Sequence, residues 1–347
     1  EPNPNNHLFR SGALDIIGFN YHDDWFAGVP VNFPGKPFIV TESVSGLMTR
    51  GYYRMPSDSM FIWPERWDKP FYDASFSCSS YDNCHVPWGN RHEGTMRHVK
   101  NNDFISGQYV WTGFDYIGEP TPYGWPARSS YFGIIDLAGF PKDVYYLYQS
   151  EWTDKQVLHL FPHWNWTEGQ DIDLWAYYNN ADEVELFVNG KSQGVRSKGK
   201  DDFHVMWRVK YEPGTVKAVS RKEGKTVAEQ EIRTAGEPAQ IRLSPDRSTI
   251  QADGKDLSFI TVEILDKDGN LCPNAENDVT FAVEGAGFIA GVDNGSPISM
   301  EKFKDNHRKA FYGKCLVVLQ NNGEPGGVKV TATADGLEKA TTAIKVK

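Results

Sequence analysis

Three apolar runs early in the chain each end in a side chain able to meet a small polar ligand. Phe38-Ile39-Val40-Thr41-Glu42-Ser43 ends in a carboxylate, Asp15-Ile16-Ile17-Gly18-Phe19-Asn20 leads into Tyr21, and Gly107-Gln108-Tyr109-Val110-Trp111-Thr112 ends at an indole. A carboxylate that leaves a strand end toward solvent can attack an electrophilic centre such as an anomeric carbon. Judged alone, such a residue more often caps a turn or joins a surface ion pair. Its neighbours change that balance. A phenol one strand away can hold the carboxylate, and an indole face can stack on the C–H face of a sugar ring. Glu42, Tyr21 and Trp111 together read as a sugar subsite.

These side chains need strands to aim them. Unbroken apolar runs describe strands buried on both faces, the mark of a parallel sheet. Each run carries its polar side chains at its C-terminal end, where barrel enzymes place their active sites. Residues Arg91 to Asn101 predict a helix with Met96 and Val99 on one side. Pro141 opens a second helix in which Val144, Leu147 and Tyr148 recur at helical spacing. Strand, strand, long loop, helix, strand, helix is about three-eighths of a (β/α)8 TIM barrel.

From about residue 156 the period becomes two. Val184, Leu186 and Val188 alternate with charged residues and run into Asn189-Gly190, a hairpin signal. Ala235-Gly236-Glu237-Pro238 breaks the pattern, and further alternating strands follow, among them Ile260, Val262 and Ile264, then Val279, Phe281 and Val283. The chain therefore reads as multidomain α/β plus all-β. Residues 1–155 form the C-terminal part of a barrel, and residues 156–235 and 236–347 form two immunoglobulin-like β-sandwiches.

Composition narrows the partners. A net charge of −10 argues against nucleic acid, which needs a basic face. No apolar run approaches the roughly 18 residues needed to span a bilayer. Aromatic residues make up 14% of the chain, fitting either β-rich cores or sugar stacking. Of the four cysteines, Cys78 and Cys84 share what reads as a polar loop and could pair in an oxidising compartment, while Cys315 reads as a buried thiol. No zinc-type spacing occurs, and no metal or cofactor is expected.

The strand carrying Glu42 resembles the nucleophile strand of glycoside hydrolase family 2. Gly107 to Tyr116 is similar to that family's last barrel strand. Tyr131-Phe132-Gly133-Ile134-Ile135-Asp136, Gly139-Phe140-Pro141-Lys142 and Tyr145 to Gln149 resemble its closing loop and final helix. The likeness covers the whole chain and is nearest to β-galactosidases of polysaccharide-degrading bacteria. It implies a retaining exo-β-glycosidase acting on terminal β-D-galactosides through a covalent intermediate on Glu42. Tyr21 would contact the nucleophile and Trp111 the sugar. It also implies a carbohydrate substrate and a periplasmic or secreted location; a homo-oligomer is compatible with it.

The family pattern also departs here. Retention needs a second carboxyl about 5–5.5 Å from the first. The family's acid/base is a Glu following an Asn, and residues 1–155 hold no Asn-Glu pair. That residue is expected in an N-terminal part of the same protein, so this segment alone is expected to be inactive. Glu119 and Asp115 are the nearby carboxyls, and Glu119 is expected to position substrate or organise its loop. Asp23, Asp24, His85 and Trp88 are candidates for the pocket wall, although each reads more simply as a loop residue or packing anchor. His163, Trp164 and Trp166 fit packing at a domain junction, and Asp293-Asn294-Gly295 a turn. The competing class is a non-catalytic carbohydrate-binding or adhesion module built on the sandwiches.

Overall fold

A computed structural model describes residues 3–347. Its first region centres on a three-stranded parallel sheet of β1 (Ile17–Asn20), β2 (Phe38–Val44) and β3 (Ile105–Trp111), with β2 in the middle. Phe19 lies beside Val40 and Asn20 beside Glu42, and on the other side Val44 pairs with Trp111. All three strands therefore finish at one end of the sheet.

The two faces differ. Ile17, Phe19, Phe38 and Val40 point to one side and join Phe26, Val29 and Phe33 in a buried cluster. Helix α1 (His92–Lys100) adds Val99 to that side. On the opposite face Gly18, Asn20 and Thr41 are exposed, and so is the Tyr109 ring. The sequence predicted burial on both faces. Among the described residues only one face is covered, and both β1 and β3 present an open edge.

The long segment between β2 and α1 is irregular but not loosely packed. Cys78 and Cys84 sit in a core with Leu47, Val86, Tyr123, Tyr131 and Phe132. The polar-loop reading of that pair is thus corrected: both thiols are free and fully buried. Burial first, and the neighbouring Cys84 second, push the Cys78 thiol well above its usual range. Helix α2 (Asp143–Trp152) follows the closing loop and buries Val144, Leu147 and Tyr148.

The second region contains a three-stranded and a four-stranded antiparallel sheet. Its central strand, Asp171–Tyr178, is buried along nearly its whole length. Ile172, Leu174 and Ala176 face the core between the sheets. Trp175 and Tyr177 face the other way and pack with Met48, Tyr81, Met96 and Leu147 of the first region. The two regions thus share a core.

The third region also has two sheets, of four and five strands, around a core that includes Ile260, Val262, Phe281, Val330 and Ile344. It is fastened to the first region by Arg50. That guanidinium pairs with Asp136 at 2.6 Å and donates to the carbonyls of Asn294 and Phe311. Gly295, at φ +78°, passes so close to Asp136 that a Cβ there would lie 2.1 Å from the carboxylate. The Asp293-Asn294-Gly295 turn is therefore a docking point between regions.

Open parallel edges and an uncovered sheet face invite association. Residues 1–155 produced in isolation are expected to self-associate, and a monodisperse monomer in sedimentation velocity would contradict this.

Candidate active site

Glu42 is the fifth residue of β2 and is only partly exposed. The register shift between Phe19 and Asn20 sets Asn20, rather than Tyr21, beside it. Asn20 Nδ2 lies 3.4 Å from Glu42 Oε2, while Asn20 Oδ1 accepts from Thr41 Oγ1 at 2.7 Å. The amide is thereby oriented with its donor toward the carboxylate. On the β3 side, Ser43 Oγ donates to the Tyr109 carbonyl and accepts from Gln108 Nε2 at 2.9 Å. These side-chain bonds bridge β2 and β3 where their backbone register slips.

Tyr21 is held beside the same carboxylate. Its backbone N–H donates to the Glu42 carbonyl at 2.7 Å, and its hydroxyl lies 2.8 Å from Ser45 Oγ. Burial first, and the Glu42 carboxylate second, hold the phenol well above its usual range, so it stays protonated. The hydrogen bond of this hydroxyl goes to Ser45, and the Glu42 carboxylate lies near enough to raise the phenol's pKa.

Backbone geometry is unusual at both strand ends. Tyr21 and His22 follow β1 with φ of 56° and 61°, while Val44 ends β2 and Ser45 follows it, at 75° and 57°. None of the four is glycine, and such conformations cost on the order of 1–3 kcal/mol each. The turn after β2 is tied down by its neighbours: Asn90 N–H donates to the Val44 carbonyl, and Ser45 N–H to that of Trp111. Trp111 is half-buried, and its ring meets Tyr116 edge-on at 5.9 Å. Its peptide bond to Thr112 is cis.

Glu119 stands apart. It is exposed, and its carboxylate accepts a short hydrogen bond from the Tyr116 hydroxyl. Among the described residues its side chain bonds Tyr116, whose ring meets Trp111. Asp23 is buried and accepts from Asn90 and Thr95, an anchor rather than a wall residue, while Asp24 is exposed. His85 Nδ1 is occupied by the Val86 carbonyl.

Asp115 is also committed elsewhere. It pairs at 2.7 Å with Lys142, and both side chains are almost fully buried. Burial pushes the Asp115 carboxyl up to about 6, opposed by the ammonium and by the Gly133 N–H. Lys142 Nζ also donates to the carbonyls of Met48 and Tyr131. It thereby joins the segments after β2 and β3 to the closing loop.

Sequence reasoning missed Asn20, Ser43, Ser45, Gln108 and Lys142. Asn20 carried a signal, a polar residue ending an apolar run. The others depend on register and on long-range packing.

Residues 241–343 match the model described as glycoside hydrolase family 2 C-terminal domain 5, and residues 169–228 match a domain of unknown function, DUF4982. The chain is 73% identical over its full length to "Beta-galactosidase BoGH2A" of Bacteroides ovatus, covering 41% of that protein. It is 34% identical over 94% of its length to a putative β-glucuronidase of Formosa agariphila, covering 34% of it. A solved β-glycosidase from Bacteroides vulgatus superposes with a TM-score of 0.87 at 34% identity, over 96% of this chain and 45% of that one. The chain spans less than half the length of each of these relatives.

Two outcomes test this part of the fold. Lys142→Met leaves Asp115 buried without its partner and is expected to cost about 3–5 kcal/mol. The thermal midpoint should fall sharply, and pairing the change with Asp115→Leu should recover part of the loss. The second concerns His92, which lies against Gly46 in the turn after β2. It is fully buried, and burial lowers its pKa from 6.5 to about 4. Between those values the unfolded chain binds a proton that the folded chain does not. Stability should therefore fall as pH drops through that window, and His92→Gln should flatten the thermal midpoint against pH.

Proposed function

Because this chain belongs to glycoside hydrolase family 2, we propose that it supplies the nucleophile half of a retaining exo-β-galactosidase. Glu42 attacks the anomeric carbon of a terminal β-D-galactoside and carries the covalent glycosyl intermediate. Tyr21 orients the carboxylate and Asn20 donates to it. Trp111 offers an aromatic wall to the sugar. The carrying observation is the position of Glu42, partly exposed at a strand end with the Asn20 amide donating to its carboxylate and Tyr21 bonded to its backbone. A carboxylate held by neutral donors keeps a lone pair free for attack.

The same reading treats β1 to β3 with α1 and α2 as the closing part of a TIM barrel. The all-β regions, divided near residues 155 and 235, are then immunoglobulin-like sandwiches. The acid/base Glu stands on a strand preceding β1, in a part of the protein that packs along its open edge. A cleft of about 440 Å³ runs along that edge beside Gly18, Asn20 and Tyr21. Glu119 organises the loop after β3 and has no part in proton transfer.

Curated relatives include proteins named as β-glucuronidases, so the sugar must be argued from this site. A uronate needs a cation to meet its carboxylate. The side chains tied to Glu42 and Tyr21 are those of Asn20 and Ser45, with His22 bonded to the Asn20 carbonyl; no Lys or Arg is among them. That set favours a neutral galactoside.

In the intact protein, Glu42→Gln is expected to lower kcat on p-nitrophenyl β-D-galactopyranoside by about a thousandfold or more, with sugar binding retained. Near-parental turnover would refute the assignment. Faster parental hydrolysis of the matching glucuronide would refute the choice of sugar.

A further inference from the structure

A second concave site lies where the three regions meet, and it shares no residue with the surroundings of Glu42. It is a cleft of about 540 Å³, within the usual range of roughly 300–1,000 Å³ for ligand sites at domain interfaces. Tyr52 and Tyr53 come from the first region, His163 and Trp166 from the second, and Asn274 and Tyr312 from the third. No acidic side chain, Lys or Arg lines it, although such residues make up 24% of the chain.

The aromatic wall is fixed before any ligand arrives. Trp166 and His163 stack at 4.4 Å with their planes 12° apart, and the Trp166 indole N–H donates to the His163 carbonyl. The Tyr53 ring meets both edge-on, and its hydroxyl is anchored on Asp143 at 2.8 Å. Burial lowers the His163 pKa to about 4, so the imidazole is neutral at neutral pH. The opposite wall also depends on contact between regions. Gly51, at φ +83°, allows the Tyr312 ring so close that a Cβ there would lie 2.4 Å from it. The Tyr52 hydroxyl and the exposed Asn274 amide make no side-chain hydrogen bond to other described residues. They leave donors and acceptors facing the cleft.

Rigid aromatic faces, neutral hydrogen-bonding groups and no charge define one ligand chemistry. Phosphates and carboxylates would find no cation, and a metal ion would find no carboxylate. A sugar ring has apolar C–H faces for the aromatic wall and hydroxyls for the amide and phenols. The cleft also continues. A neighbouring one of about 240 Å³ shares Asn274 and Tyr312, and another of about 410 Å³ shares Asn165 and Asn274; both add Glu276 and the second adds Glu237, carboxylates that can accept from further sugar hydroxyls. That gives a groove with room for more than one ring.

We propose that this groove is a second carbohydrate site, which binds a neutral oligosaccharide at a distance from the reacting end. Trp166 is the stacking platform and Asn274 a hydrogen-bonding partner. The pre-set wall means that little side-chain entropy is lost on binding. The site would retain long substrates without touching the bond that is cleaved.

The test titrates β-1,4-galactotetraose into the intact Glu42→Gln protein by calorimetry. Two binding equivalents per chain are expected, falling to one in the added presence of Trp166→Ala. Asn274→Trp, a change at an exposed position that fills the groove, should do the same and guards against a folding defect in the first variant. With Glu42 restored, Trp166→Ala should leave kcat and KM for p-nitrophenyl β-D-galactopyranoside unchanged. KM for the tetrasaccharide should rise severalfold. One equivalent in the parent, or two in both variants, would overturn the proposal. Loss of one equivalent reads the groove whether or not Glu42 proves to be the nucleophile.

Discussion

Lys142 carries an ammonium into the interior and meets three partners there: the Asp115 carboxylate and the carbonyls of Met48 and Tyr131. Each partner lies on a different segment at the C-terminal end of the parallel sheet. Asp115 in turn accepts from the Gly133 N–H, and the Lys142 backbone N–H donates to Ile134. Burying one charge is costly, and the cost is offset only when its partners are held in place. The loops above the sheet therefore have one compatible arrangement, and the strand ends beneath them inherit it.

What they inherit is a carboxylate left accessible on an otherwise ordered rim. The turn after β2 runs through Val44 and Ser45 in left-handed conformations, and its carbonyls and N–H groups are taken up by Asn90, Val86 and Trp111. The turn after β1 does the same with Tyr21 and His22. Neighbouring structure holds both turns where a free chain would relax, and Glu42 lies between them with Asn20 at 3.4 Å. The second and third regions supply support of another kind. Trp175 and Tyr177 complete the core under the site-bearing region, and Arg50 locks the third region against it.

Much of this was legible in the residue order. The run into Glu42 announced its strand because Phe38 and Val40 supply the apolar face that the sheet buries, although its other face is open. The change near residue 156 announced antiparallel sheets because their outer faces meet water. Other features were hidden for equally physical reasons. Lys142 looks like a surface residue, since nothing local says that its ammonium is enclosed. Cys78 and Cys84 sit among serines and acids yet are fully buried, because aromatic residues from distant segments cover them. Asn20 gained its place beside Glu42 through a register slip, which no periodicity reports. Trp164 and Trp166, two residues apart, lie between a sandwich core and a domain cleft. Both touch that core, but only Trp166 also opens onto the cleft.

The central claim is that Glu42 forms the covalent bond to the sugar. Its most direct test is to incubate the intact protein with a 2-deoxy-2-fluoro β-galactosyl donor, digest it and locate the added mass by tandem mass spectrometry. A single label on the peptide carrying Glu42 is the predicted result. A label on Glu119 or another carboxylate, or inactivation without any covalent adduct, would contradict it.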